Sequence, residues 1–332
     1  MVFFIFWHPN FTYFSLLYMT EATQLPLVSI VLCTYNGEAY LAKQLESLFA
    51  QTYPRIEIIA VDDRSSDATV SILQDHASRH PAMKVFVNDP NLGFIKNFQK
   101  GCSLAGGELV ACCDQDDYWH PDKIKKMAAA IGSHPMIYCD SALCDQDLRE
   151  TGKKVSDLVV CQSFNSCLQQ AVFCRIYGHA TLIKKSLLEK AIPFLEVIPH
   201  DWWLSFIATL YGEIKYLPEP LVFYRQHSTN LFGVVGVKRT KAARVNKSEK
   251  KRRELAEIRT RITAFYNACP AEKATEKKLL FNLAKSYQSF SLINNFRRMG
   301  IFLRYRELLL AVKRRSPLQK LLFCFKMFIM IK

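Results

Sequence analysis

Three short apolar runs govern what this chain can become. Residues 27–34 read LVSIVLCT, residues 56–61 read IEIIAV and residues 108–113 read ELVACC. Continuous β-branched and apolar runs of this length suit strands buried on both faces, as in a parallel sheet. Between and after them the spacing turns helical. Residues 38–51 place Leu41, Leu45, Leu48 and Phe49 on one face, and helices are expected from Asp67 to about Arg79 and over 94–105. Residues 83–87 read as a further short strand and 136–139 as a fifth, with Pro121 opening the helix between the fourth and fifth. Strand alternating with helix implies βαβ units, hence an α/β fold with a mostly parallel sheet.

After about residue 150 the alternation weakens. A helix near 200–211 and short strands at 214–217 and 221–225 complete the domain. From 238 the chain reads as helical segments at 249–268, 273–299 and 301–314, separated by Pro270 and Gly300. The expected division is an N-terminal extension (1–26), an α/β domain (27–235) and a basic helical region (236–332).

In open α/β sheets ligands bind beyond the carboxyl ends of the strands. Here those ends carry Thr34-Tyr35-Asn36-Gly37, then Asp62-Asp63-Arg64-Ser65-Ser66-Asp67, then Asp114-Gln115-Asp116-Asp117. Single aspartates in such places serve as turn residues or helix caps, and Asp67 reads as an N-cap. A rim with so many carboxylates repels itself unless a cation joins it. Carboxylates together with diphosphate oxygens are what Mg²⁺ or Mn²⁺ prefers. No G-x-x-x-x-G-K-[ST] occurs, and no G-x-G-x-x-G follows a strand, which argues against a P-loop enzyme or a dehydrogenase.

The segments VSIVLCTYNGEAYLAKQLESLFAQTY, IEIIAVDDRSSDAT and GGELVACCDQDDYWHPDK, in this order and spacing, resemble the inverting glycosyltransferase family 2, and the likeness runs to about residue 230. The resemblance implies a GT-A fold and a transferase using a nucleotide-sugar donor. It places Cys33, Thr34, Tyr35 and Asn36 against the nucleotide, gives Asp63 the base N3–H and puts Lys96 near base and phosphates. Asp114-Gln115-Asp116 resembles the D-x-D motif, extended by Asp117 to DQDD as in the rhamnosyltransferase-like branch, with Asp116 on the metal and diphosphate. His200-Asp201-Trp202-Trp203 resembles that branch's acceptor-side motif, which makes Asp201 the general base. Asp201 also reads as a helix start, and Trp202 as either a sugar platform or a core aromatic. Where many relatives carry an E-D pair, this chain has His200 before the aspartate. Tyr224-Arg225-Gln226-His227 with Ser228-Thr229-Asn230 resembles the closing motif, which brings Arg225 to the diphosphate and His227 to the metal.

The resemblance further implies a UDP- or dTDP-sugar donor, a glycan or lipid-linked acceptor, and a setting in bacterial surface polysaccharide or lipopolysaccharide assembly. Two other readings stand beside it: a nucleotidyltransferase of similar α/β fold, which would release pyrophosphate, and a non-catalytic membrane or nucleic-acid binding protein.

Charge divides the chain. Residues 1–237 carry a net charge of −5, and residues 238–332 carry +19. Charge alone would suit nucleic acid. The last segment, SPLQKLLFCFKMFIMIK, mixes bulky apolar residues with spaced lysines, the composition of an in-plane amphipathic anchor. The expectation is therefore a cytoplasmic protein, peripheral at the inner face of the cytoplasmic membrane, with no nucleic-acid partner. Residues 1–18 are apolar and aromatic without Lys or Arg, unlike a signal peptide. They read as a mis-assigned start ahead of Met19 or as an interfacial anchor. The eleven cysteines form no C-x-x-C pair and read as reduced core side chains.

Overall fold

The computed structural model describes residues 25–227 and 247–329. The question of residues 1–18, the Ser228-Thr229-Asn230 part of the closing motif, the basic residues 238–246 and the last three residues lie outside the described part.

The first half follows the expected alternation. Strands β1 (Val28–Thr34), β2 (Ile56–Asp62), β3 (Met83–Val87) and β4 (Leu109–Asp114) pair in parallel in the order β3-β2-β1-β4. Helices α1 (Glu38–Phe49), α2 (Thr69–Arg79) and α3 (Phe94–Leu104) connect them. Along β1 successive side chains enter opposite layers. Val28, Ile30 and Leu32 join Leu41 and Leu45 of α1, while Val31 and Cys33 join Ile95 and Phe98 of α3. Both faces of the strand are therefore dry, as its unbroken apolar run requires.

Helix α2 begins two residues later than expected, at Thr69. Asp67 still serves its start: Oδ1 accepts from the Thr69 amide (3.0 Å) and hydroxyl. The helix expected to open at Pro121, α4 (Lys123–Ile131), follows β5 (Tyr118–Trp119) and begins at Lys123. Pro121 and Asp122 are tied instead to Thr52, beyond the end of α1, through Thr52 N to Pro121 O (2.9 Å) and Thr52 Oγ1 to Asp122 Oδ1 (2.7 Å).

The second half departs from the expectation of a mostly parallel sheet. It contributes β6 (Met136–Cys144), β7 (Glu150–Lys154), the one-turn helix α5 (Val155–Leu158), two 3₁₀ turns at Cys167–Gln169 and Gly178–Ala180, and β8 (Thr181–Lys184). Then come α6 (Lys185–Ala191), α7 (His200–Tyr211) and β9 (Ile214–Arg225). β8 inserts antiparallel between β4 and β6, and β9 runs parallel to β6, giving the order β3-β2-β1-β4-β8-β6-β9-β5. The sheet is mixed. The two expected strands at 214–217 and 221–225 are one strand, β9. Pro218 and Pro220 cannot donate to the ladder, and its register against β6 slips around Asp140.

The basic region packs against α7 and the 3₁₀ turn at Cys167–Gln169 as α8 (Lys247–Ala268), α9 (Ala274–Ser286), α10 (Leu292–Arg304), α11 (Arg306–Leu309) and α12 (Pro317–Lys326). The expected helix 273–299 is broken at 287–291. Ser291 caps α10 by accepting from the Asn294 amide (3.3 Å), while Gly300 sits inside α10 with open space around it. Leu255, Ile258, Ile262 and Phe265 of α8 share one cluster with Trp203 and Phe206 of α7, so the tail completes the core on that face. All eleven cysteines are free thiols, nine of them buried.

Candidate active site

Because β2, β1 and β4 are adjacent and parallel, their carboxyl ends form one edge. Cys33 lies beside Asp114 and Thr34 beside Asp62 in the ladder. Two loops interlock over that edge. The Tyr35 amide donates to Gln115 Oε1 (2.8 Å), and Gln115 Nε2 donates back to Tyr35 O (3.1 Å). The Asn36 amide donates to Ser65 Oγ (2.8 Å), and Asn36 Oδ1 accepts from the Ser66 amide (2.9 Å). Asn36 and Arg64 both hold positive φ, at 48° and 66°. A Cβ at Gly37 would lie 2.2 Å from Gln115 Oε1, so only glycine lets the Gln115 amide close over this turn. The Tyr35 side chain stands 53% exposed above it, open to stack on a flat ligand.

The other expected nucleotide residues are positioned as follows. Cys33 is buried, and Thr34 gives its hydroxyl to Asp62 Oδ1 (2.8 Å). Asp63 is buried and organises the loop before α3. Oδ1 accepts from Asn88 Nδ2 (2.8 Å) and the Leu92 amide (2.7 Å), and Oδ2 from the Gly93 amide (2.8 Å). Lys96 pairs with Glu196 at 2.7 Å on the surface.

The DQDD segment divides its acids between two histidines. Asp116 Oδ2 lies 2.8 Å from His227 Nε2, so the two expected metal residues are brought together from positions 111 residues apart. Asp114 and Asp117 face His179, which sequence reading did not single out. His179 Nδ1 lies 3.6 Å from Asp114 Oδ2 and 3.1 Å from Asp117 Oδ2. One donor atom from each of these three residues lies within 4.8 Å of the others, a spacing that suits a cation. His179 had no sequence signal, being a lone histidine. It reaches the site because the 3₁₀ turn carrying it leads into β8, which pairs with β4. Beneath it, the buried Lys123 ammonium donates to His179 O (2.5 Å) and sits 3.0 Å over the Trp119 ring.

The electrostatics follow from burial and these pairings. Burial pushes the Asp117 carboxyl up to about 8, reinforced by the charges of Asp116 and Asp114 against the pull of His179. For Asp114 desolvation acts in the same sense, but the facing His179 imidazole outweighs it and holds its carboxyl below the usual range. His179 is raised: burial disfavours its charged form, and the two aspartates more than compensate. Burial lowers Lys123 to about 8.

Asp201 sits in the first turn of α7, where its Oδ1 accepts from the Trp202 amide (2.7 Å). Its carboxyl is raised, chiefly by desolvation and secondarily by Asp114, while His200 and His179 pull it down. Those influences place it within electrostatic reach of the DQDD cluster. Its neighbour His200 is buried and stacks on Phe98 with ring centroids 3.9 Å apart. A Cβ at Gly178 would lie 2.7 Å from His200 Nε2, so glycine there lets the turn before His179 lie against α7.

Two residues are engaged elsewhere than expected. Trp202 donates Nε1 to Gln170 O (2.6 Å), and its ring lies 4.1 Å from the Arg261 guanidinium of α8, so it joins α7 to the tail. This is the core-aromatic alternative. Arg225 is buried. Its amide donates to Asp117 Oδ1 (3.1 Å), its Nε to Asp116 O (2.6 Å) and its Nη1 to Gln146 O (2.5 Å). It fixes the DQDD loop from below.

Known proteins share the sequence pattern and the fold of this domain. Residues 29–191 match the model of glycosyl transferase family 2. This stretch is a glycosyltransferase family 2 domain. A Mycobacterium tuberculosis protein of unassigned role is 32% identical over 213 residues, 62% of this chain and 60% of its own length. An uncharacterized glycosyltransferase of Haemophilus influenzae is 26% identical over 239 residues, 68% of this chain and 73% of its own. The chain thus spans about three-fifths of the Mycobacterium relative. Among solved structures, Staphylococcus aureus TarS 1–349 in complex with UDP-GlcNAc superposes with a TM-score of 0.53 at 18% identity, covering 85% of this chain and 92% of that one. The mannosyltransferase PcManGT from Pyrobaculum calidifontis, in complex with GDP-Man and Mn²⁺, gives 0.52 at 16% identity over 96% and 95%. At these identities the family 2 likeness to solved structures is one of fold, a GT-A sheet with flanking helices.

Proposed function

We propose that the chain is an inverting, metal-dependent glycosyltransferase. It moves a sugar from a UDP- or dTDP-linked donor to a hydroxyl of a glycan or lipid-linked acceptor during assembly of a bacterial surface polysaccharide or lipopolysaccharide. The observation that carries this reading is the meeting of Asp116 with His227 at 2.8 Å on the same edge as the open Tyr35 ring.

The residues fit a hard divalent cation, Mg²⁺ or Mn²⁺. Carboxylate oxygens and imidazole nitrogens are suitable donors, and this edge gathers them from Asp114, Asp116, Asp117, His179 and His227. Two donor sets share one loop. Asp117 and His179 are almost fully buried and closed to a diphosphate, so the pair facing the donor is Asp116 with His227, and the trio shapes the loop. When bound, the cation supplies neutralising charge to the departing diphosphate.

The remaining chemistry belongs to the chain. Tyr35 stacks on the base, with Cys33, Thr34, Asn36, Asp63 and Lys96 around the nucleotide, and Asp114 lines the sugar side. The acceptor oxygen bonds to the anomeric carbon as the carbon–oxygen bond to the diphosphate breaks, with inversion. Asp201 takes the hydroxyl proton, since the DQDD acids lie on the leaving-group side. The basic, partly apolar C-terminal helices suit a peripheral position at the inner face of the cytoplasmic membrane. No described helix is long and apolar enough to cross one.

The metal reading is tested by calorimetric titration of UDP and dTDP with and without Mn²⁺. Wild type should bind more tightly with Mn²⁺, EDTA should abolish the difference, and Asp116→Asn should show none. Equal Mn²⁺ dependence in wild type and Asp116→Asn would remove Asp116 from the metal site.

A further inference from the structure

The first half of helix α10 is built inside out: it buries Asn294, Asn295 and Arg298 and exposes Leu292, Ile293 and Phe296, while Phe302 in the second half packs into the core as usual. A surface helix of a water-soluble domain does the reverse. The inversion is held in place by the Arg298 guanidinium, fully buried, which donates to Met327 O, Ser286 O and Asn295 Oδ1, each at 2.8 Å. Through Met327 it ties α10 to the end of α12. Phe296 and Phe328 meet edge to face, centroids 4.8 Å apart.

The outer side of α12 continues the same face. Leu318, Leu322, Phe325 and Ile329 recur at helical spacing and are exposed, while Phe323, Cys324 and Met327 pack inward. Seven of the sixteen exposed large apolar side chains among the described residues lie within 292–329, all between 50% and 72% exposed. Those 38 residues carry nine Lys or Arg and one acid, Glu307.

We infer that α10 and α12 together form a prebuilt platform that seats on an anionic lipid bilayer, with the seven apolar side chains entering the interface and the basic residues meeting the headgroups. This rests on the peripheral setting proposed above and specifies its surface. Charge selects the occupant. Two copies of a face so basic repel each other, whereas anionic headgroups attract it within a Debye length. Apolar side chains ringed by Lys and Arg are what interfacial helices present to lipid. The sequence pattern points to the final segment alone. The structure adds α10 and makes the two helices one surface through Arg298.

The platform also adjoins the acceptor side of the site. Phe173 lies 6.2 Å from Phe323 and under the Lys313 ammonium (4.0 Å), and Gln170, three residues earlier, holds Trp202 beside Asp201. One segment therefore links the platform to the helix that carries the base.

The test uses the full chain and vesicles of phosphatidylcholine with or without 30% phosphatidylglycerol. Deleting the last helix would strip Phe323, Cys324 and Met327 from the core, so exposed positions are changed instead. Leu292→Ser/Ile293→Ser/Phe296→Ser and Leu318→Ser/Leu322→Ser/Phe325→Ser should each lower partition to the anionic vesicles by about tenfold or more, from lost apolar burial. Thermal unfolding and nucleoside diphosphate release from a soluble donor should stay at wild-type levels. As a check independent of folding losses, the Phe296→Trp variant should be quenched by brominated phosphatidylglycerol beyond any quenching of wild type. Unchanged partition in the α10 variant, no added quenching in Phe296→Trp, or a wild-type dimer that the variants abolish would overturn the proposal. Absence of diphosphate release in a wild type that still binds vesicles would instead remove the transferase reading and leave the platform standing.

Discussion

Asp201 concentrates the mechanism into one side chain. Partly buried in the first turn of α7, its carboxyl is held above the ordinary aspartate range, chiefly by desolvation. As a general base it acts only when ionised. kcat/KM should therefore fall as pH drops through that raised value, at a pH above the ordinary carboxylate range, and the loss should reverse on raising pH. Asp201→Asn removes the base and should lower kcat by about 10²-fold or more while leaving donor affinity near wild type. A near-normal rate in that variant, or an acid limb that persists in its residual activity, would take the role away from Asp201. At this scale the sequence was partly legible. The resemblance to family 2 brought Asp116, His227 and Asp201 into view, Asp116 just beyond β4, His227 just beyond β9 and Asp201 at the start of α7. It did not reveal His179, whose approach to Asp114 depends on β8 pairing with β4. Nor did it reveal which way Arg225 and Trp202 point, since a strand-end arginine or a helix-start tryptophan has two sides to choose from.

At the level of elements, α8 is where the basic region becomes part of the fold. Phe265 is fully buried, its ring stacked on Phe206 at 4.0 Å and near Trp203 at 6.2 Å. Phe265→Ala should cost about 3–5 kcal/mol of stability by cavity formation, read as a lower urea midpoint. A cost under about 1 kcal/mol, the range of exposed substitutions, would mean that α8 is only loosely applied to α7. The strands of the parallel block were legible because unbroken apolar runs leave no solvent face. β8, four residues long, and the two-residue β5 are too short to carry a period, so the antiparallel insertion that makes the sheet mixed stayed hidden. Pro218 and Pro220 lie between the two expected strands, yet the ladder slips past them and continues. The break at 287–291 was missed because Ser291 is an unremarked cap, while Gly300, the expected break, is tolerated within a helix packed from one side.

Across the whole molecule, the acidic edge and the basic tail divide the work the account assigns: one receives the donor, the other meets the surface where the acceptor resides. The family 2 domain and the GT-A sheet frame that account; its centre is that sugar leaves a nucleoside diphosphate at the DQDD edge. The most direct measurement presents the purified chain with a panel of UDP-, dTDP- and GDP-sugars, a lipid-linked or glycan acceptor and Mn²⁺, and identifies the nucleotide product. The expected result is release of a nucleoside diphosphate from a UDP- or dTDP-sugar, lowered about 10²-fold or more in Asp201→Asn and sharply reduced in Asp116→Asn, with an inverted anomeric linkage in the product. Release of pyrophosphate, or diphosphate release that both variants retain in full, would contradict it.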